Sequence, residues 1–78
     1  MNAFILINVK IGKLWKVAEK AMAIEGVKIA HAVSGQYDVV IYAEFPNISG
    51  LSELIDKIQL IEGVIKTTTA IAMAPRLS

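Results

Sequence analysis

The chain has 78 residues and a mass of 8.5 kDa, which leaves room for one domain over residues 1–78 and excludes a multi-domain enzyme. With no cysteine and a single histidine it has neither disulfides nor thiolate metal sites, and almost no material for a zinc centre. Eight basic residues stand against seven acidic ones, spaced singly along the sequence, so no nucleic-acid footprint is visible.

The hydrophobic share is 55%, the charged share only 19%, and the mean hydropathy +0.57. A chain this short hides only about 60% of its unfolded surface on folding. Such greasiness therefore points to self-association as the remaining source of stability. The first apolar run, residues 3–9, is far short of the roughly 20 residues a membrane span needs. No basic residue precedes it to open a signal peptide, so the chain reads as mature and cytoplasmic.

Residues 3–9, Ala-Phe-Ile-Leu-Ile-Asn-Val, form a nearly continuous apolar run, the pattern of a strand buried on both faces. Gly12 ends it. From Lys13 the period becomes helical, with Leu14, Val17, Ala18, Ala21 and Ile24 on one side and Lys13, Lys16, Glu19 and Lys20 on the other. Gly26 stops this helix, and residues 27–33 read as a second strand. Ser34-Gly35-Gln36-Tyr37 is a turn, and residues 38–45 make a third strand that pairs with the second as a hairpin. After Pro46-Asn47, Ser49 is the expected cap of a second helix whose apolar stripe is Leu51, Leu54, Ile55 and Ile58. Glu62-Gly63 closes it, and residues 64–73 form a last strand that runs out at Pro75.

The chain repeats itself. Ile24-Glu25-Gly26-Val27 recurs as Ile61-Glu62-Gly63-Val64, an offset of 37 residues, and the helical stripes match at the same offset. Two β-α-β halves with right-handed crossovers give a βαββαβ order. The expected fold is α+β and ferredoxin-like, a four-stranded antiparallel sheet with two helices on one face.

In that topology strands one and three are central, and the helices cover one face only. Phe4, Leu6, Val40 and Tyr42 then fall on the uncovered face. Burying four such side chains stabilises by about 1.5–3 kcal/mol each, a sum comparable with the stability of a small domain. A two-fold dimer with sheets face to face is the expected remedy.

Catalytic possibilities are few. Asp38, Glu44, Asp56 and Glu62 lie on different elements, no glycine-rich phosphate loop exists, and no catalytic, metal or cofactor site is expected. His31 reads first as a hydrogen-bonded sheet histidine, Met22 and Met73 as core filler. Trp15 fits either an interface anchor or a partly buried residue at the stripe's edge. Thr67-Thr68-Thr69 puts Thr67 and Thr69 on one side of the last strand, as β-formers or as donors to a small polar ligand.

Ser34-Gly35-Gln36-Tyr37-Asp38 is the most informative segment. It fits an ordinary turn with a structural aspartate. It equally fits a ligand loop whose amides meet a carboxylate while Asp38 meets an ammonium group.

The stretch Val33-Ser34-Gly35-Gln36-Tyr37-Asp38-Val39-Val40, with Glu25-Gly26-Val27 before it and Glu62-Gly63-Val64 and the threonines after it, resembles the effector-binding domain of the Lrp/AsnC (feast/famine) transcriptional regulators. The resemblance covers roughly residues 2–74 and implies a ferredoxin-like, non-enzymatic domain that dimerises through its sheet. It further implies that dimers assemble into an octamer-like ring and bind an amino-acid effector between them. The implied contact residues are Gly35, Gln36, Tyr37 and Asp38 in the hairpin and Thr67, Thr69 and Ala70 in the last strand. Regulators of this family carry an N-terminal helix-turn-helix, whereas this chain begins at the first strand with Met1-Asn2. The expectation is a stand-alone domain without direct DNA binding that co-assembles with full-length regulators. The alternative class is a small dimeric α+β barrel enzyme, an isomerase or cofactor-free oxygenase, which needs a polar residue such as His31 or Tyr42 in a cavity between sheet and helices.

Overall fold

The computed structural model describes residues 1–74, so Pro75, where the last strand was expected to run out, lies outside the described residues. The elements are β1 (Asn2–Val9), α1 (Leu14–Met22), β2 (Val27–Ala32), β3 (Val39–Glu44), α2 (Ile48–Gln59) and β4 (Val64–Ile71). They form one antiparallel sheet in the order β2-β3-β1-β4, with both helices on one face. The ferredoxin-like expectation is met, with β1 and β3 in the centre.

Alternation along the central strands decides what is buried. Ala3, Ile5 and Ile7 of β1 and Val39, Ile41 and Ala43 of β3 pair in register and point under the helices, all fully buried. Val17, Ala18 and Ala21 of α1 and Leu51, Leu54 and Ile58 of α2 close over them. Each of the larger buried aliphatics contributes about 1.5–3 kcal/mol. The described core contains no buried polar or charged residue.

The repeat has a geometric cause. The helices end before the glycines expected to stop them, at Met22 and Gln59 with caps Ala23 and Leu60. Gly26 and Gly63 each sit three residues past the cap, in the turn into the next strand, at φ +97° and +102°, a backbone that favours glycine. The Gly26 carbonyl accepts from Glu44 N and the Gly63 carbonyl from Lys10 N, both at 2.8 Å. Each half thus anchors its helix-to-strand turn on the far end of the other half's central strand. A Cβ at Gly63 would sit 2.7 Å from Lys13 Cβ, and one at Gly26 would sit 2.9 Å from the Glu44 carbonyl oxygen.

Several local expectations need correction. The cap of α2 is Asn47, whose side-chain oxygen accepts from Gly50 N at 2.9 Å, and Ser49 already lies inside the helix. Asn47 wins because it has extended backbone, the geometry that lets a side chain reach back to the first free amides. Met22 and Met73 are exposed rather than core filler, because Met22 lies outside the α1 stripe and Met73 follows the end of β4. Met22 instead lays its sulfur against the edge amide of Ala30, 3.1 Å away. Trp15 is 75% exposed, not half-buried at the stripe's edge. His31 shares the outer face with Val40 and makes no hydrogen bond among the described residues, because its in-register neighbour is aliphatic.

Candidate ligand-binding site

The β2–β3 hairpin is closed by one hydrogen bond of its own and pinned to the carboxyl end of β1 by three more. Val33 N donates to the Asp38 carbonyl at 2.9 Å, and Asp38 N donates to the Ile7 carbonyl at 2.9 Å. The Asp38 carboxylate accepts from Val9 N through Oδ2 at 2.8 Å, and Asn8 Nδ2 donates to the Gln36 carbonyl at 3.0 Å. Asp38 is therefore a structural aspartate, one of the two readings that its residue type allowed. Only Oδ2 is engaged in this way.

Between these anchors the backbone amides are unclaimed. The amides of Ser34, Gly35, Gln36 and Tyr37 have no hydrogen-bond partner among the described residues. Ser34, Gly35 and Gln36 are exposed, Tyr37 and Asp38 half-buried. Gly35 has φ +132°, and a Cβ there would meet nothing within 4 Å, so backbone conformation alone asks for glycine. A run of free amides beside a carboxylate offers donors to an anionic group and an acceptor to a cationic one.

The β4 residues lie elsewhere. Thr67 and Thr69 pair with Ile7 and Ile5, on the helix side of the sheet, and Thr67 Oγ1 accepts from Gln59 Nε2 at 3.1 Å. Ala70 pairs with Phe4 and so points to the opposite face. The trio Thr67, Thr69 and Ala70 is thus divided between two faces by the pleat, and β1 stands between it and the hairpin. Asn8 was not singled out from the sequence. The available signal was an amide side chain on the outer face of an otherwise apolar strand.

The uncovered face carries Phe4 (43% exposed), Leu6, Ile29 (41% exposed), Val40 and Tyr42, with Thr68, Ala70 and His31 toward the edges. Phe4 and Tyr42 pack with ring centroids 5.3 Å apart, and the Tyr42 hydroxyl accepts from Asn2 Nδ2 at 2.6 Å. Both His31 and Tyr42 are on this face, away from the space between sheet and helices that the barrel-enzyme alternative requires. No described helix is long and apolar enough to cross a membrane. No group of three or more potential metal ligands occurs among the described residues.

Residues 2–76 match the family model for the Lrp/AsnC ligand binding domain. The HTH-type transcriptional regulator FL11 of Pyrococcus furiosus is 37% identical over 71 residues, 91% of this chain and 47% of that protein. A homocitrate synthase of Sulfolobus acidocaldarius is 29% identical over 75 residues, 92% of this chain but 16% of the enzyme. Among solved structures, the hypothetical protein PHS023 of Pyrococcus horikoshii superposes with a TM-score of 0.86 at 35% identity, covering 95% of this chain and 90% of that one. AsnC of E. coli gives 0.87 at 26% identity, covering 99% and 53%. A Neisseria meningitidis transcriptional regulator solved with L-Met shares the fold, at a TM-score of 0.82 and 18% identity over 94% of this chain and 49% of that one. The chain spans about half the length of the curated regulators it matches. The fold and the match over nearly the whole length agree, and the chain belongs to the Lrp/AsnC ligand-binding domain family.

Proposed function

We propose that residues 1–78 work in the cytoplasm as a single, non-enzymatic domain that binds a free amino acid at the seams of a homo-oligomer. The observation that carries this reading is the unclaimed run of amides from Ser34 to Tyr37 beside the Asp38 carboxylate. Amides suit an α-carboxylate, and the oxygen of Asp38 that Val9 leaves free suits an α-ammonium group. The regulator crystallised with L-Met supports an amino acid as the ligand class.

Within one subunit β1 separates the hairpin from Thr67, Thr69 and Ala70. Gly35, Gln36, Tyr37 and Asp38 therefore meet these β4 residues only across a subunit boundary. The uncovered sheet face, with Phe4 and Tyr42 at its centre, supplies the two-fold contact that makes the dimer, and dimers close into an octamer-like ring. Ligand and assembly are then linked, each favouring the other. Both described helices spend their apolar stripes on the sheet, so contact with DNA runs through co-assembly with full-length regulators.

A thermal-shift screen against the twenty amino acids at millimolar concentration, run beside light scattering, tests this reading. The expected result is an oligomer whose melting point rises with one or a few amino acids. A monodisperse 8.5 kDa monomer with no response to any of them refutes it.

A further inference from the structure

The lysines that stand singly in the sequence do not stand singly in space. Lys13, Lys16 and Lys20 occupy one flank of α1 at a spacing of i, i+3 and i+7, which brings them to the same side of the helix. That flank faces the end of α2. Lys13 Nζ lies 3.0 Å from Glu62 Oε1, and the close fit of Gly63 against the Lys13 side chain fixes the approach. The fields of Lys13, Lys16 and Lys10 all reach Glu62 and favour its ionised form. Between the two elements runs a groove of about 320 Å³ lined by Lys16, Lys20, Leu60 and Glu62. Leu60 is 85% exposed at its rim, an apolar side chain with no cover among the described residues.

We propose that this groove docks an acidic amphipathic helix from a partner protein, with carboxylates on Lys16 and Lys20 and an aliphatic side chain against Leu60. Lys13 is taken up by Glu62, but Lys16 and Lys20 carry no partner among the described residues, and two lysines four residues apart are complementary to two glutamates at the same spacing on a second helix. A nucleic-acid backbone fits less well. Glu62 stands inside the groove and Glu19 lies between Lys16 and Lys20, so the net positive charge is small, and phosphates do not dehydrate an exposed leucine. The groove's lining shares no residue with the hairpin or with the open sheet face.

Trp15 is the single tryptophan and lies on the same helix, one position from Lys16, which makes its fluorescence a local probe. The test titrates the full chain with a stapled helical peptide of about 14 residues bearing glutamates at i, i+3 and i+7 and leucines along one edge. Saturable change in Trp15 emission is expected, with affinity about tenfold weaker in the Lys16→Glu, Lys20→Glu double variant and weaker again at high salt. Lys28→Glu, on β2 beside Glu44 of β3, serves as a charge-reversal control away from the groove and keeps the affinity. Circular dichroism establishes that both variants are folded. Equal binding of a glutamine-for-glutamate peptide, tighter binding of duplex DNA than of the peptide, or unchanged affinity in the double variant each overturns the proposal.

Discussion

Asp38 has a structural role and, in the proposed site, a ligand-binding one, and substitution separates the two. Its carboxylate accepts from Val9 N at 2.8 Å in a partly buried bond that holds the hairpin to β1. Asp38→Ala leaves that amide without a partner, which costs about 1–3 kcal/mol. A domain of this size is stable by about 4–12 kcal/mol, so the loss is a substantial fraction. With a urea dependence of about 1 kcal/mol per molar, the unfolding midpoint falls by about 1–3 M. Asp38→Asn keeps an oxygen acceptor toward Val9 and removes the charge, so its midpoint stays within about 0.5 M of the parent. Its affinity for the amino acid that gives the largest thermal shift falls about 10- to 150-fold, the value of a charge-assisted hydrogen bond. Urea denaturation at one fixed protein concentration and titration calorimetry read the two effects. An Asp38→Ala midpoint equal to the parent's refutes the structural tie. Unchanged affinity in Asp38→Asn refutes the ammonium contact.

The glycine turns offer a matched pair. Gly63→Ala meets Lys13 Cβ at 2.7 Å as well as the positive-φ penalty and loses about 2–5 kcal/mol, while Gly12→Ala, at φ +84° with open space around it, loses only about 1–2 kcal/mol; equal losses in chemical denaturation contradict the packing explanation. Asn47→Ala removes the cap of α2 and costs about 1 kcal/mol, whereas Ser49→Ala changes stability by less than about 0.5 kcal/mol, and the reverse order in thermal melts disproves the assignment. The Glu62 carboxyl is held below its ordinary value of 4.5, first by the hydrogen bond from Lys13 and then by its charge. A lowered folded value means that the pair favours folding above pH 4.5 and that this small, exposed contribution disappears as pH falls through the folded value. Melting points followed from about pH 6 to about pH 3 should therefore fall slightly less in Lys13→Met than in the parent, and identical curves argue against the pair.

Much of the fold was legible because its signals are local. The change from near-continuous apolar residues to a helical stripe marks β1 and α1, and the recurring Glu-Gly-Val places both helix-to-strand turns where Gly26 and Gly63 take positive φ. The alternation in β1 and β3 separated Ile5, Ile7, Val39 and Ile41 from Phe4, Leu6, Val40 and Tyr42, as the burial of the first set shows. Capping was misjudged because Asn47 and Ser49 are both good caps by type, and only the extended backbone at Asn47 decides between them. The methionines were misjudged because hydrophobicity alone does not say on which side of a helix, or beyond which strand end, a side chain falls.

By itself, then, the amino-acid order determined periodicity: which residues form strands and helices, where glycine turns the chain, and which side chains share a face of each strand. Only the tertiary structure decided what comes together across distance. It tied Asp38 to Val9, set β1 between the hairpin and the β4 residues Thr67, Thr69 and Ala70, and gathered scattered lysines beside Glu62. Periodicity is a property of neighbours in sequence, set by backbone geometry a few residues at a time. A hydrogen bond spanning 29 residues or a shared flank between two helices exists only after register and packing have chosen one arrangement.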